Sequence, residues 1–387
     1  MWGCHSDLVE KVQHWRPAAG NVILIVMTGP EATRSQGAAA IRILDANANR
    51  ASEGLRVVED YARFVLDDTY LTEQWKGLRH DLTATLARFP AAMRCACRQT
   101  EHDVGTEIST ASEGRRPSLN DVLAANLARV QQALRTLEEY SKVPLDLAPS
   151  DATSLGAELE ALRYRTYTLA AVMEVVWNSR ARLQGVNVIV LVEGMDQPGA
   201  FEQLVDRLYA TGVPAIQLRE KHLPDRSLHD RAQRLASLAR KHQSLAIIND
   251  RADIAAAVGA QAVHLGQDDL AVGQARRIVG PDVLIGVSTH SLAQAKQAVV
   301  DGANYIGVGP TFPSGTKAFE EFPGPALLRE VAREITLPAF AIGGIDTANV
   351  QQVLDCGISR IAVGMAITAA ADPVDAAREL VGKVGLL

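Results

Sequence analysis

Charged and amide side chains recur at the ends of short apolar runs in this chain, and their types suit a phosphorylated ligand. Gln217-Leu218-Arg219-Glu220-Lys221 closes one run, Asn249-Asp250 the next, and Gly266-Gln267-Asp268-Asp269 follows the one after. Arg219 and Lys221 are two residues apart, so an extended backbone puts them on one face. Two cations held there suit a diphosphate. Asp250 and Asp269 add hard oxygen donors of the kind Mg²⁺ takes, typically one or two carboxylates beside substrate phosphates. Asp268 adjoins Asp269, and an N-cap is the plain alternative for either, since a helical stretch follows. Asn249 is suited to donating to a ligand or to forming a turn.

Later runs continue the series. Val287-Ser288-Thr289-His290 ends one, and Gly309 through Lys317 follows another, with the Ser314 and Thr316 hydroxyls flanking Gly315 and the Lys317 ammonium as a third cation. That loop has the composition of one that closes over a ligand. Gly343-Gly344 and Gly364-Met365 follow the last two runs. Glycines let a phosphate approach backbone N–H groups, so a second phosphorylated substrate has its own place.

Eight apolar runs must hold these residues: Val188–Val192, Ala215–Leu218, Leu245–Ile248, Ala262–Leu265, Leu284–Val287, Tyr305–Val308, Ala339–Ile342 and Ile361–Val363. Helical stretches such as Arg226–His242, Leu270–Val279 and Leu292–Asp301 separate them. Strands buried on both faces read as continuous apolar runs, and eight in alternation with helices predict an α/β fold, a (β/α)8 TIM barrel over 185–387. Every polar cluster above then falls on the C-terminal rim, where ligands bind. A doubly wound sheet is disfavoured, because no Gly-x-Gly-x-x-Gly loop follows the first run.

Upstream, residues 38–182 show helical periodicity and no strand-like alternation, which predicts a separate all-α N-terminal domain. It carries an internal repeat: Asn47, Arg50, Leu55, Arg56, Glu59 and Tyr61 recur as Asn126, Arg129, Leu134, Arg135, Glu138 and Tyr140. Arg56/Glu59 and Arg135/Glu138 fit solvated i,i+3 pairs. The Asn/Arg pairs leave two readings open. A duplicated helix packed about a pseudo-twofold brings two donor pairs together, as a ligand site or as simple helix packing. Residues 1–37 fit neither domain and are taken as an extension.

Bulk properties exclude several classes. A net charge of −6 argues against a dedicated nucleic-acid surface. The longest apolar run near the start, Val22–Met27, is far short of the roughly 20 residues that span a bilayer, so no membrane partner is expected. Cys4, Cys95, Cys97 and Cys356 are too few and irregular for a disulfide scaffold, which points to a reducing cytoplasm. Cys95 and Cys97 make a poor zinc signature. Self-association is left open.

The motifs from Gln217 to Ile345, in this order, resemble thiamine-phosphate synthase. That resemblance implies joining of 4-amino-2-methyl-5-hydroxymethylpyrimidine diphosphate to a thiazole phosphate, with release of pyrophosphate. It implies pyrimidine diphosphate contacts at Gln217, Leu218, Arg219, Glu220, Lys221, Asn249, Ser288 and Lys317, and Mg²⁺ at Asp250 and Asp269. Thiazole phosphate contacts would fall at Ser314, Gly315, Thr316, Gly344, Gly364 and Met365. Two departures stand out. The first run ends Val192-Glu193-Gly194 without the family's frequent Thr-Asp, and Ser314-Gly315 replaces its commoner Thr and polar residue. A related thiazole tautomerase uses a His after the fifth strand, so His290 keeps that reading alive, with the helical part as a non-catalytic dimerisation or sensing module.

The helical part resembles the ThiD2 family, found fused to this synthase. The resemblance lies in Arg42 through Tyr61, Lys76–Asp81, Asp103-Val104-Gly105 and Asn120–Tyr140. It implies ATP-dependent phosphorylation of hydroxymethylpyrimidine phosphate, with Asn47, Arg50, Arg79, Asp81, Asp103, Asn126 and Arg129 as candidates for phosphate or Mg²⁺ handling. No Walker-type loop is present.

Overall fold

The computed structural model describes residues 31–89, 91–98, 115–143, 149–193, 199–313 and 322–385. Five helices come first: α1 (Glu31–Phe64), α2 (Thr69–Leu86), α3 (Ala91–Cys97), α4 (Leu119–Tyr140) and α5 (Pro149–Arg182). The first begins at Glu31, so the last residues of the expected extension are helical. Eight strands alternate with helices after that: β1 (Val188–Val192), α6 (Ala200–Ala210), β2 (Ala215–Leu218), α7 (Asp225–His242), β3 (Leu245–Asn249), α8 (Ala252–Val258), β4 (Ala262–Leu265), α9 (Val272–Val279) and β5 (Leu284–Thr289). The order continues with α10 (Leu292–Val300), β6 (Tyr305–Val308), α11 (Gly324–Glu334), β7 (Ala339–Ile342), α12 (Val350–Leu354), β8 (Ile361–Val363), α13 (Met365–Thr368) and α14 (Pro373–Val384).

The strands pair in parallel, each with its sequence neighbour, and β8 returns to β1 to close the barrel. Closure fixes which residues point inward. Ile189, Ala215, Ile247, Ala262, Leu284, Tyr305, Phe340 and Ala362 fill the interior, and Leu183 and Val186 pack beneath them as a floor. The barrel is a packed core with no passage through it.

In the helical part, α1 crosses α4 closely because Gly54 lies at the contact. A Cβ there would stand 2.6 Å from Val130 Cγ2 and 3.3 Å from the Asn126 carbonyl, so any larger residue forces the helices apart. Leu55 and Leu134, equivalent in the repeat, are both fully buried. The repeat extends to polar partners. Glu59 accepts from Arg79 Nε at 2.7 Å, and Glu138 accepts from Arg163 Nε at the same distance. Both carboxylates are buried, which corrects the expectation of solvated helix pairs. Each locks one helix of a hairpin to the next, α1 to α2 and α4 to α5.

The helical part docks on the floor end of the barrel. Asp68 caps α2 by accepting from Leu71 N at 2.7 Å, and its other oxygen accepts from Thr336 Oγ1 at 2.8 Å and Thr336 N at 3.0 Å. Asn304 donates to Ser179 Oγ at 2.9 Å, and Arg182 donates to the Asp282 carbonyl at 2.5 Å. Thr336, Asn304 and Asp282 precede β7, β6 and β5, so the seam lies opposite the rim that carries the polar clusters.

Candidate active site

Alternation along the end of β2 sorts the Gln217–Lys221 cluster. Gln217 faces inward, where its Nε2 donates to Asn249 Oδ1 at 2.9 Å. Leu218 is buried on the outer side among helix-facing apolar residues. Glu220 turns to α7 and pairs with Arg231. Arg219 and Lys221 return to the mouth, where both act on Asp250. Leu218 and Glu220 therefore present side chains elsewhere, and only their backbone borders the mouth.

Asp250 follows β3 with φ of 62°, a left-handed backbone that Asp tolerates better than most residues. Its N–H donates to the His264 carbonyl at 2.8 Å, which fixes that conformation. The carboxyl is half-buried and within hydrogen-bonding reach of Asp269. Burial, then the hydrogen bond and charge of Asp269, push its pKa up to about 6, while Lys221 and Arg219 pull it down. Asp269 Oδ2 accepts from Gly266 N at 2.6 Å. Helix α9 starts at Val272 behind Ala271, so neither Asp268 nor Asp269 is its N-cap.

This donor set fits Mg²⁺. Among the described residues no group of three or more His, Cys, Asp or Glu could hold a metal. Asp250 and Asp269 would hold the ion, and an open mouth beside two cations would leave phosphate oxygens and water to complete its shell.

Ser288, near the end of β5, is held from two sides. Its Oγ lies 3.0 Å from His264 Nε2, and its carbonyl accepts from Gln267 Nε2 at 2.5 Å. His264 is enclosed, its ring 5.5 Å from that of Tyr305, and burial pushes its pKa down to about 4. It is therefore neutral near pH 7. Gly286 makes the room, since a Cβ there would lie 2.1 Å from Tyr305. His264, Gln267 and Tyr305 were assigned no role from sequence, because only the closed barrel stacks them beneath the mouth.

Arg219 Nη1 donates to Glu193 Oε2 at 2.5 Å. The unusual end of β1 thus supplies Arg219 with a counter-charge, in the place where the expected diphosphate would bind. Across the mouth, Thr311 N and Phe312 N donate to the carbonyls of Ile342 and Gly343 at 2.9 and 3.0 Å, tying the loop after β6 to the end of β7. Gly344 has φ of 64°, and a Cβ there would meet the Phe312 and Pro313 carbonyls at 2.8 and 2.7 Å. Gly364 and Met365 stand at the end of β8, with Met365 exposed. Ser314, Gly315, Thr316 and Lys317 lie outside the described residues.

The two parts of the chain match different families. Residues 188–367 match a model described as thiamine monophosphate synthase, and residues 42–172 match the ThiD2 family. The thiamine-phosphate synthase of Rhodopirellula baltica is 44% identical over 340 residues, covering 86% of this chain and 89% of that protein.

The chain belongs to the thiamine-phosphate synthase family.

A second thiamine-phosphate synthase, from Gloeobacter violaceus, is 43% identical over 333 residues, covering 86% of this chain and 93% of its own. The chain is also similar to the solved thiamine phosphate pyrophosphorylase from Pyrococcus furiosus, with 33% identity, a TM-score of 0.47, and coverage of 52% of this chain and 97% of that one. In this member of the thiamine-phosphate synthase family, His290 Nδ1 donates to the Gly309 carbonyl at 2.5 Å.

Of the helical candidates, the structure gathers Asn47, Arg50 and Arg129 around one cleft of about 430 Å³, with Gln132 and Thr136. Asn126 is not among its lining residues and donates to the Val122 carbonyl at 2.8 Å. Arg79 is committed to Glu59, and Asp81 pairs with Arg165 at 2.5 Å. Asp103 lies outside the described residues.

Proposed function

We propose that the barrel mouth joins hydroxymethylpyrimidine diphosphate to a thiazole phosphate, forming thiamine phosphate and pyrophosphate. The observation that carries this reading is the meeting of Arg219, Lys221, Asp250 and Asp269 at one rim. Arg219 and Lys221 bind the diphosphate and take up the negative charge that grows as the methylene C–O bond breaks. Mg²⁺ on Asp250 and Asp269 would neutralise further leaving-group charge. The Gln217–Asn249 amide pair offers complementary donors and acceptors for the aminopyrimidine edge. Neutral His264 orients the Ser288 hydroxyl. The bonding electrons leave with diphosphate, and the thiazole nitrogen supplies the pair that forms the new C–N bond, so no strong base is needed. The tautomerase reading uses neither the cations nor the acid pair, which favours the synthase.

The helical part, on this reading, phosphorylates hydroxymethylpyrimidine phosphate with ATP, and the barrel consumes the product. The division at 38–182 and 185–387 follows. Among the described residues no helix is long and apolar enough to cross a membrane, and the scattered cysteines favour the cytoplasm. Supplying the purified chain with both phosphorylated substrates and Mg²⁺ tests the barrel. Thiamine phosphate and pyrophosphate in equal amounts are expected, and no pyrophosphate would refute it. Supplying ATP, Mg²⁺ and the pyrimidine monophosphate tests the helical part, where ADP is expected and a sensing module yields none.

A further inference from the structure

The cleft between α1 and α4 lies at the crossing that Gly54 permits, and the repeat explains what lines it. Asn47 and Arg50 come from the first copy and Arg129 from the second. Ala125, Ala128, Arg129, Gln132 and Thr136 follow one stripe of α4, with alanines keeping the wall low between the polar groups. The other conspicuous cations of this region are spent on carboxylates: Arg56 and Arg79 on Glu59, Arg135 and Arg163 on Glu138, Arg165 on Asp81. Among the described residues, Arg50 and Arg129 have no such carboxylate partner and no carboxylate lines the cleft. Two arginines lining one cleft with no described carboxylate beside them suit an anion.

The remaining lining narrows the ligand. Asn47 is nearly buried and donates Nδ2 to the Ile43 carbonyl at 2.8 Å, which leaves Oδ1 as an acceptor for a ring amino group. Gln132 and Thr136 add a second amide and a hydroxyl. A cleft of about 430 Å³ suits one small ring with one phosphate, at the lower end of ligand-site volumes. We infer that this cleft binds the phosphate monoester of an aminopyrimidine, the phosphoryl acceptor of the helical part, with Arg50 and Arg129 on the phosphate and Asn47 on the ring. This rests on the kinase reading of that part and names its acceptor site.

The test uses the full chain, with ADP release from ATP and the pyrimidine monophosphate as readout. Arg50→Ala and Arg129→Ala should each raise the KM for the monophosphate by roughly 10- to 100-fold, the loss expected for one charge-assisted contact, with the KM for ATP changed far less. Arg50→Lys and Arg129→Lys should recover part of it. An unchanged monophosphate KM in the folded Arg50→Ala/Arg129→Ala double variant would overturn the cleft assignment. So would a rise confined to ATP. No ADP from the wild-type chain would instead overturn the kinase reading itself.

Discussion

The carboxyl groups of Asp250 and Asp269, carried by the loops after adjacent strands β3 and β4, lie within hydrogen-bonding reach of each other at the barrel mouth. Asp250 therefore reports on its occupant. Its pKa is raised to about 6, against about 3.9 for a free carboxyl. Between those values the native chain holds a proton that the unfolded chain has released, so this group's contribution to stability falls as pH rises through that window. Discounted for a half-exposed group, the cost above pH 6 is about 1–2 kcal/mol. Asp250→Asn should therefore raise the melting temperature at pH 8 without Mg²⁺ and lose the stabilisation that Mg²⁺ gives the wild type. Calorimetry with and without Mg²⁺ checks both, and equal Mg²⁺ stabilisation in the variant would remove Asp250 from the metal site.

His264 gives the opposite slope. Its pKa is lowered to about 4 while an unfolded histidine sits near 6.5, so the unfolded chain binds the extra proton in between. Stability from this group is complete above about 6.5 and lost as pH falls toward 4, by about 3 kcal/mol for so enclosed a ring. The histidine C–H signal that disappears in His264→Asn should not move between pH 7.5 and 5 in an NMR titration. A midpoint near 6.5 would contradict its burial.

Glu193 pairs with the guanidinium of Arg219 that the proposed diphosphate would take. The pair is partly exposed, so its worth is modest, about 0.5–1 kcal/mol. Glu193→Gln should tighten pyrophosphate binding by about 2- to 5-fold in isothermal titration, and weaker binding would show that Glu193 helps build the site.

Asp68 holds the seam between helices and barrel. Asp68→Ala removes the α2 cap and leaves Thr336 N without its partner at a half-buried position, a loss of about 1–3 kcal/mol. Thr336→Val should cost less, because the backbone bond survives. Denaturant unfolding of the two variants gives the comparison, and equal losses would place the strength in the hydroxyl.

Leu183 and Val186 seal the barrel floor, and the helical part meets that floor while the mouth faces the other way. On the proposed kinase reading, diphosphate made by the helical part should reach the mouth through solvent. With labelled monophosphate and ATP, excess unlabelled diphosphate should dilute the label in thiamine phosphate fully. Incomplete dilution would reveal a protected route.

The strands were legible because buried parallel strands are unbroken apolar runs, and six of the eight have the expected bounds. Two run further: β3 takes in Asn249, paired with His264 of β4, and β5 reaches Thr289, whose hydroxyl donates to the Gly307 carbonyl at 3.0 Å. The rim positions of Arg219, Lys221, Asp250 and Asp269 were legible from their places after each run, whereas Leu218 and Glu220 turn their side chains away from the mouth. His264 was not, because its role depends on space left by Gly286 and filled by Tyr305. The burial of Glu59 and Glu138 was equally hidden, since Arg79 and Arg163 arrive from the next helix and not from the same helix face.

The most direct measurement is pyrophosphate release, with Mg²⁺ and both phosphorylated substrates, by wild type and Asp269→Asn. With the acid pair and cations acting on one leaving group, the variant should fall by about 100-fold or more in kcat while its barrel stays folded. Turnover within a few-fold of wild type would contradict the site.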